Sequence, residues 1–155
     1  VISYRSTEEI GNKNTPAIFI AYDSRKDKIT KIQSLFKHIT CPGITPEGLC
    51  FEAIQKEIVD GSGDMDSYFI NFSDGEPYFE NKDIMYWGES ATKHTKQQVD
   101  NMKLRGIKVL SYFIGNGYGS SIKNFKQMYG RDAEFIDTTQ VVPLAKTLNK
   151  MFATA

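Results

Sequence analysis

Cysteine is scarce in this chain. Cys41 and Cys50 are its whole complement, and they form neither a CxxC pair nor a disulfide framework, so reduced thiols and a cytoplasmic location are the expectation. Histidine is as rare: His38 and His94 stand without a partner at ligand spacing, which argues against zinc. No apolar run approaches the roughly 18 residues that would cross a bilayer. Charge of one sign is missing too, because Lys plus Arg and Asp plus Glu both total 19. Without a net field there is little to draw in nucleic acid or an anionic membrane. The stretch GNGYGSS fits neither the Walker nor the dinucleotide spacing, so a phosphate loop is not expected. There is no internal repeat and no low-complexity tract.

What is present suffices for one core. The 155 residues are 40% hydrophobic, within the usual range for a single domain spanning 1–155. VISYR and AIFIAY read as strands joined by the polar stretch STEEIGNKNTP, which is too short for a parallel crossover and therefore implies an antiparallel hairpin. In residues 27–39, Ile29, Ile32, Leu35, Phe36 and Ile39 recur at helical steps. TPEGLCFEAIQKEIV reads as a second helix, with Thr45 as N-cap, Pro46 as first helical residue and Glu47 as first-turn acid. SYFINF is a buried strand that stops at the SDGEP turn, and residues 78–92 read as a long surface loop. Then come a helix over 94–105 with Gly106 just past its end, the strand IKVLSYFIG, a short helix IKNFKQMYG, a strand AEFIDTT and a closing helix QVVPLAKTLNKMFA. This alternation predicts an α/β fold with a doubly wound, mostly parallel sheet covered on both faces and one antiparallel edge strand.

In an open parallel sheet, ligands collect at the carboxyl ends of strands. Asp74 follows SYFINFS directly, and Thr45 opens a helix packed on the same sheet. A hydroxyl and a carboxylate meeting there are hard oxygen donors of the kind that suit magnesium or manganese. Each residue also has a plainer use: Thr45 as a helix cap, Asp74 as a turn residue bonding its own backbone. Ser73 and Glu76 read as supporting or solvated neighbours. Tyr86 and Trp87 are interface-type aromatics; exposed, they would anchor a partner protein, and folded inward they would only pack the loop.

Together, GITPEGLCFEAI and YFINFSDGEP resemble the second and third motifs of a von Willebrand factor A (VWA) domain with a metal-ion-dependent adhesion site. GIKVLSYFIG and FIDTTQVVPLAKTLNKMF resemble that family's last strands and closing helix, most closely in the domains of cobalt-chelatase subunits and related bacterial and phage proteins. The resemblance implies Thr45 as a direct metal ligand and Asp74 as a residue holding Mg2+ or Mn2+ through water. The family's opening strand and its Asp-x-Ser-x-Ser motif are absent; AYDSRKD has Arg25 and Asp27 where serines would stand, and Asp23 lies too near Thr45. VISYR and AIFIAY match the second and third strands instead. Since strand one is central in the order 3-2-1-4-5-6, its lack implies an N-terminally incomplete domain with a gap of roughly 10 Å, two strand spacings. The expected occupant is an earlier segment of the same domain or a cleaved partner fragment.

The function so implied is a metal-dependent protein-binding module that engages an acidic residue of a partner, an AAA+ ATPase by analogy with chelatases. A metal-assisted hydrolase or phosphotransferase using Asp74 is the alternative from another class, and a degenerate, purely structural VWA domain is a third. No second acidic cluster, activated nucleophile or phosphate loop accompanies Asp74, which weighs against the enzyme.

Overall fold

The computed structural model describes residues 1–38, 44–58, 66–115 and 119–136, and positions 142, 145, 146 and 149. Gly11 and Asn12, with φ of 58° and 62°, turn the chain between strands β1 (Ile2–Ile10) and β2 (Lys13–Tyr22). Two consecutive left-handed residues make the tight hairpin turn whose twist matches the flanking strands. The ladder is antiparallel from Ile10 opposite Lys13 to Ile2 opposite Tyr22, so both strands run further into STEEIGNKNTP than the sequence reading placed them. With a two-residue turn, the polar residues beside it stay in the ladder as an exposed ribbon. Even Pro16 is accommodated, opposite Thr7, as an edge position allows.

Helix α1 (Ile29–Leu35) continues into a single 3-10 turn, Phe36–His38. Ile32 is its buried residue, whereas Ile29 is exposed, so the apolar stripe is narrower than its periodicity implied. Ile39 lies outside the described residues. Helix α2 (Glu47–Ile54) leads to β3 (Ser67–Ser73). Residues 78–92 are not the long loop expected: they form a small hairpin, β4 (Phe79–Glu80) with β5 (Met85–Tyr86), followed by the start of α3 (Gly88–Leu104). Then follow β6 (Ile107–Ile114), α4 (Ser120–Tyr129) and β7 (Ala133–Ile136).

Strands β3, β6 and β7 form a parallel sheet in that order. Odd-numbered residues of β6 point one way, and Ile107, Val109 and Phe113 join Phe51, Val99, Met102, Phe125, Met128 and Tyr129 in the main core. Burying each such side chain contributes about 1.5–3 kcal/mol. Helices α3 and α4 pack on β6 and on each other, and α2 packs on α3 and β2. The fold is thus mixed α/β with a parallel sheet, and the described helices α3 and α4 share one face of it. Phe72 and Ile114 on the opposite face are exposed. The expected closing helix, residues 140–153, falls almost wholly outside the described residues. Among those described, no helix is long and apolar enough to cross a membrane.

The hairpin β1–β2 does not pair with the parallel sheet. Arg5 bridges the two instead, donating from Nη1 to Asn71 Oδ1 at 2.5 Å and from Nη2 to the Phe72 carbonyl at 3.0 Å. The hairpin and β3 thus meet through a side chain and not through a ladder.

Candidate functional site

The entry to α2 decides what Thr45 can do. Pro46, at φ −76° and ψ 59°, sits at the centre of an inverse γ-turn, with the Glu47 amide donating to the Thr45 carbonyl at 2.8 Å. The cap position is Pro46, and no side chain caps the helix. Thr45 is therefore not the N-cap expected from sequence: the γ-turn sets it outside the helix and leaves its hydroxyl uncommitted to capping. Its carbonyl also accepts the Tyr78 amide at 2.9 Å, which fastens the helix entry to the turn after β3.

That turn holds Asp74. Ser73 is buried, and its Oγ accepts the Gly75 amide at 3.1 Å. Gly75, at φ 79°, is tight against α4: a Cβ there would stand 2.5 Å from the Ser121 carbonyl. Asp74 Oδ1 accepts the Glu76 amide at 3.2 Å, so the self-bonding turn role anticipated for Asp74 is real. It uses one carboxylate oxygen.

Thr45 and Asp74 converge. Both line a cavity of about 420 Å3 with Glu76, Trp87, Ser120 and Asn124, and its lining contains no Lys, Arg or His. Glu76 Oε1 accepts the Ser121 hydroxyl at 2.6 Å. Trp87 is 52% exposed, whereas Tyr86 is only 7% exposed. Tyr86 is thus not the surface anchor the sequence suggested. Its hydroxyl contacts the Ala91 carbonyl, Thr95 Oγ1 and His94 Nδ1 at 3.0–3.2 Å, and burial pushes its pKa up to about 12. It ties the β4–β5 hairpin to α3 and abuts Gly48 of α2.

Beneath this rim is a polar cluster that the sequence reading missed. Glu47 is wholly buried, although a first-turn acid is ordinarily solvated. Its Oε1 accepts the Tyr129 hydroxyl at 2.6 Å and Asn71 Nδ2 at 2.9 Å, and its Oε2 accepts Ser73 Oγ at 3.0 Å. Arg5 Nη2 lies 3.4 Å from Oε1. Four donors thus converge on the two carboxylate oxygens, which have about four lone-pair sites between them. The one available signal was alternation: in SYFINFS, the polar Asn71 and Ser73 fall on the face that Phe69 gives to the core. Asp23 stands apart, gripped by Arg25 Nε and Nη2 at 2.9 and 2.8 Å, and it lines a different cavity with Val1 and Ser67.

No family model, curated protein or solved structure matches the chain.

The rim's donor set can be judged on its own chemistry. Thr45 brings a hydroxyl, Asp74 and Glu76 bring carboxylates, and all are oxygen donors of the type hard divalent cations take. Among the described residues no three His, Cys, Asp or Glu side chains gather as a metal site.

Proposed function

We propose that the protein is a metal-dependent protein-binding module of the VWA type, on a doubly wound sheet, with Thr45 and Asp74 holding Mg2+ or Mn2+. The observation that carries this reading is that Thr45 and Asp74, far apart in sequence, line one cavity whose carboxylates face no basic side chain. A bound divalent ion would supply an exchangeable coordination position that an acidic side chain of a partner protein can fill. Thr45 offers its uncapped hydroxyl, Asp74 its second carboxylate oxygen, and Glu76 a nearby negative charge steadied by Ser121. Trp87, exposed on the same cavity, is an aromatic contact for the partner around that point. An AAA+ ATPase is the partner that the resemblance to chelatase-associated domains brings forward.

The test is the thermal midpoint of the purified chain during titration with MgCl2 or MnCl2. A saturable rise is expected, lost in Thr45→Ala and Asp74→Ala and kept in Asp83→Ala. A wild-type midpoint indifferent to both ions would overturn the metal site and favour a purely structural role. Turnover of phosphate esters abolished by Asp74→Ala would move the assignment to a metal-assisted hydrolase.

A further inference from the structure

Asp74 sits in a turn that is clamped at both ends to the entry of α2. At one end the Tyr78 amide donates to the Thr45 carbonyl at 2.9 Å. At the other, Ser73 Oγ donates to Glu47 Oε2 at 3.0 Å. Glu47 is itself fixed to Thr45, its amide donating to the Thr45 carbonyl across the γ-turn at 2.8 Å. One residue therefore touches both segments that bring Thr45 and Asp74 together. Neither Glu47 nor Ser73 lines the cavity that Thr45 and Asp74 share, so any effect of theirs on that cavity passes through the turn.

The direction of the Ser73 bond matters. A serine hydroxyl has one proton and two lone pairs, whereas an ionised carboxylate only accepts. With its proton committed to Glu47, Ser73 Oγ keeps a lone pair for the Gly75 amide at 3.1 Å, and Asp74 is the residue held between. Gly75 is tight against the Ser121 carbonyl on its other side, which leaves the turn little slack. Tyr129, Asn71 and Arg5 converge on Glu47 Oε1 and so keep Oε2 on Ser73. Stability alone does not call for this arrangement, since well-packed apolar residues often serve as well as a buried ion. A carboxylate adds a fixed bond direction that an apolar residue lacks.

We propose that Glu47 is a positioning residue for the ion site: acting through Ser73, it sets the Asp74 carboxylate beside the Thr45 hydroxyl. This rests on the metal-dependent reading of that rim. Groups that orient metal ligands from behind typically contribute about 10–100-fold in metal affinity.

The test is the Kd for Mn2+, read from the electron paramagnetic resonance signal of free Mn2+ as the purified chain is titrated with MnCl2. Ser73→Ala cuts the bond that leads from Glu47 to Asp74 and is expected to raise the Kd about 10–100-fold. Glu47→Gln keeps the volume, but with its oxygen held by Tyr129, Asn71 and Arg5, its amide nitrogen faces Ser73 and reverses that bond. It is expected to weaken Mn2+ binding as much; should it fail to fold, Ser73→Ala decides. Gly11→Ala, which strains the distant hairpin turn, is expected to lower the urea midpoint and leave the Kd unchanged, so lost stability and lost positioning are told apart. Equal Kd in wild type and Ser73→Ala overturns the proposal and leaves the metal reading standing. An equal loss of affinity in Ser73→Ala and Gly11→Ala overturns it as well, since general loosening would then account for both. A wild-type chain without saturable Mn2+ binding overturns the metal reading, and this proposal with it.

Discussion

Tyr129 donates its hydroxyl to Glu47 Oε1 at 2.6 Å, joining the end of α4 to the opening turn of α2 under the parallel sheet. Burial first, and then the neighbouring Glu47, hold the Tyr129 pKa well above its ordinary 10.0. Tyr129 therefore stays a hydroxyl donor through the neutral range.

Tyr129→Phe leaves Glu47 one donor short in a site without water access, so a loss of about 1–3 kcal/mol is expected. Glu47→Gln keeps the volume but turns an acceptor into a donor facing Asn71, Ser73, Tyr129 and Arg5, at about 3–5 kcal/mol. Urea unfolding checks both: the midpoint should fall while the slope stays unchanged. A Glu47→Gln protein as stable as wild type would mean the cluster contributes little.

Gly11 and Gly75 separate backbone strain from crowding. Both have positive φ, but a Cβ at Gly11 meets nothing within 4 Å, whereas at Gly75 it meets the Ser121 carbonyl and Phe125. Gly11→Ala should cost about 1 kcal/mol and Gly75→Ala about 2–4 kcal/mol. Only Gly75→Ala is expected to abolish the magnesium-dependent rise in thermal midpoint, because it displaces Asp74.

Two buried tyrosines should respond in opposite ways to loss of the hydroxyl. The Tyr112 hydroxyl is buried without a hydrogen-bond partner among the described residues, and its ring stacks on Phe72 at 5.4 Å. Tyr112→Phe should be neutral or stabilising by up to about 1 kcal/mol, since it removes an unsatisfied group. Tyr86→Phe strips a partner from Thr95 and His94 and should destabilise by about 1–2 kcal/mol. Thermal melts of the two variants side by side test the contrast.

The Asp23 carboxylate is held well below its ordinary 3.8, chiefly by the Arg25 side-chain hydrogen bonds and then by the Arg25 amide. A lowered folded-state pKa means that the unfolded chain takes up the proton at higher pH. The pair's stabilisation is therefore complete above about pH 4 and drains away as acid drives the pH down toward the folded value. Asp23→Asn should flatten this acid limb and leave the melting curve at pH 7 with a smaller, pH-independent deficit. An unchanged acid limb would show that other carboxylates, such as Asp27 and Asp66, dominate it.

Elements with a single apolar period were legible in the sequence, and those whose buried face is polar were not. IKVLSYFIG and SYFINF stand where their unbroken apolar runs placed them. Helix α3 was anticipated from residue 94, yet begins at Gly88, because its buried side there is Ala91, Thr92 and Thr95. The two threonines bond carbonyls four residues back, at Gly88 and Ala91, so they bury without an apolar pattern. The meeting of Thr45 and Asp74 at a strand's carboxyl end followed from the topology of a parallel sheet. Glu47 was beyond reach, because its donors Arg5, Asn71, Ser73 and Tyr129 come from three separate elements that only tertiary packing assembles. Tyr86 and Trp87, adjacent in sequence, part ways because alternate residues of an extended segment face opposite sides.

The hairpin of Ile2–Tyr22 shares no ladder with β3, β6 and β7, and that separation is expected to divide the molecule kinetically. Its amides are protected by their own two-stranded pairing and by what α1 and α2 lend to one side. Opening it leaves the hydrogen bonds between Val109 and its neighbours intact, so deuterium should enter the hairpin through a subglobal event while the parallel strands exchange only on complete unfolding.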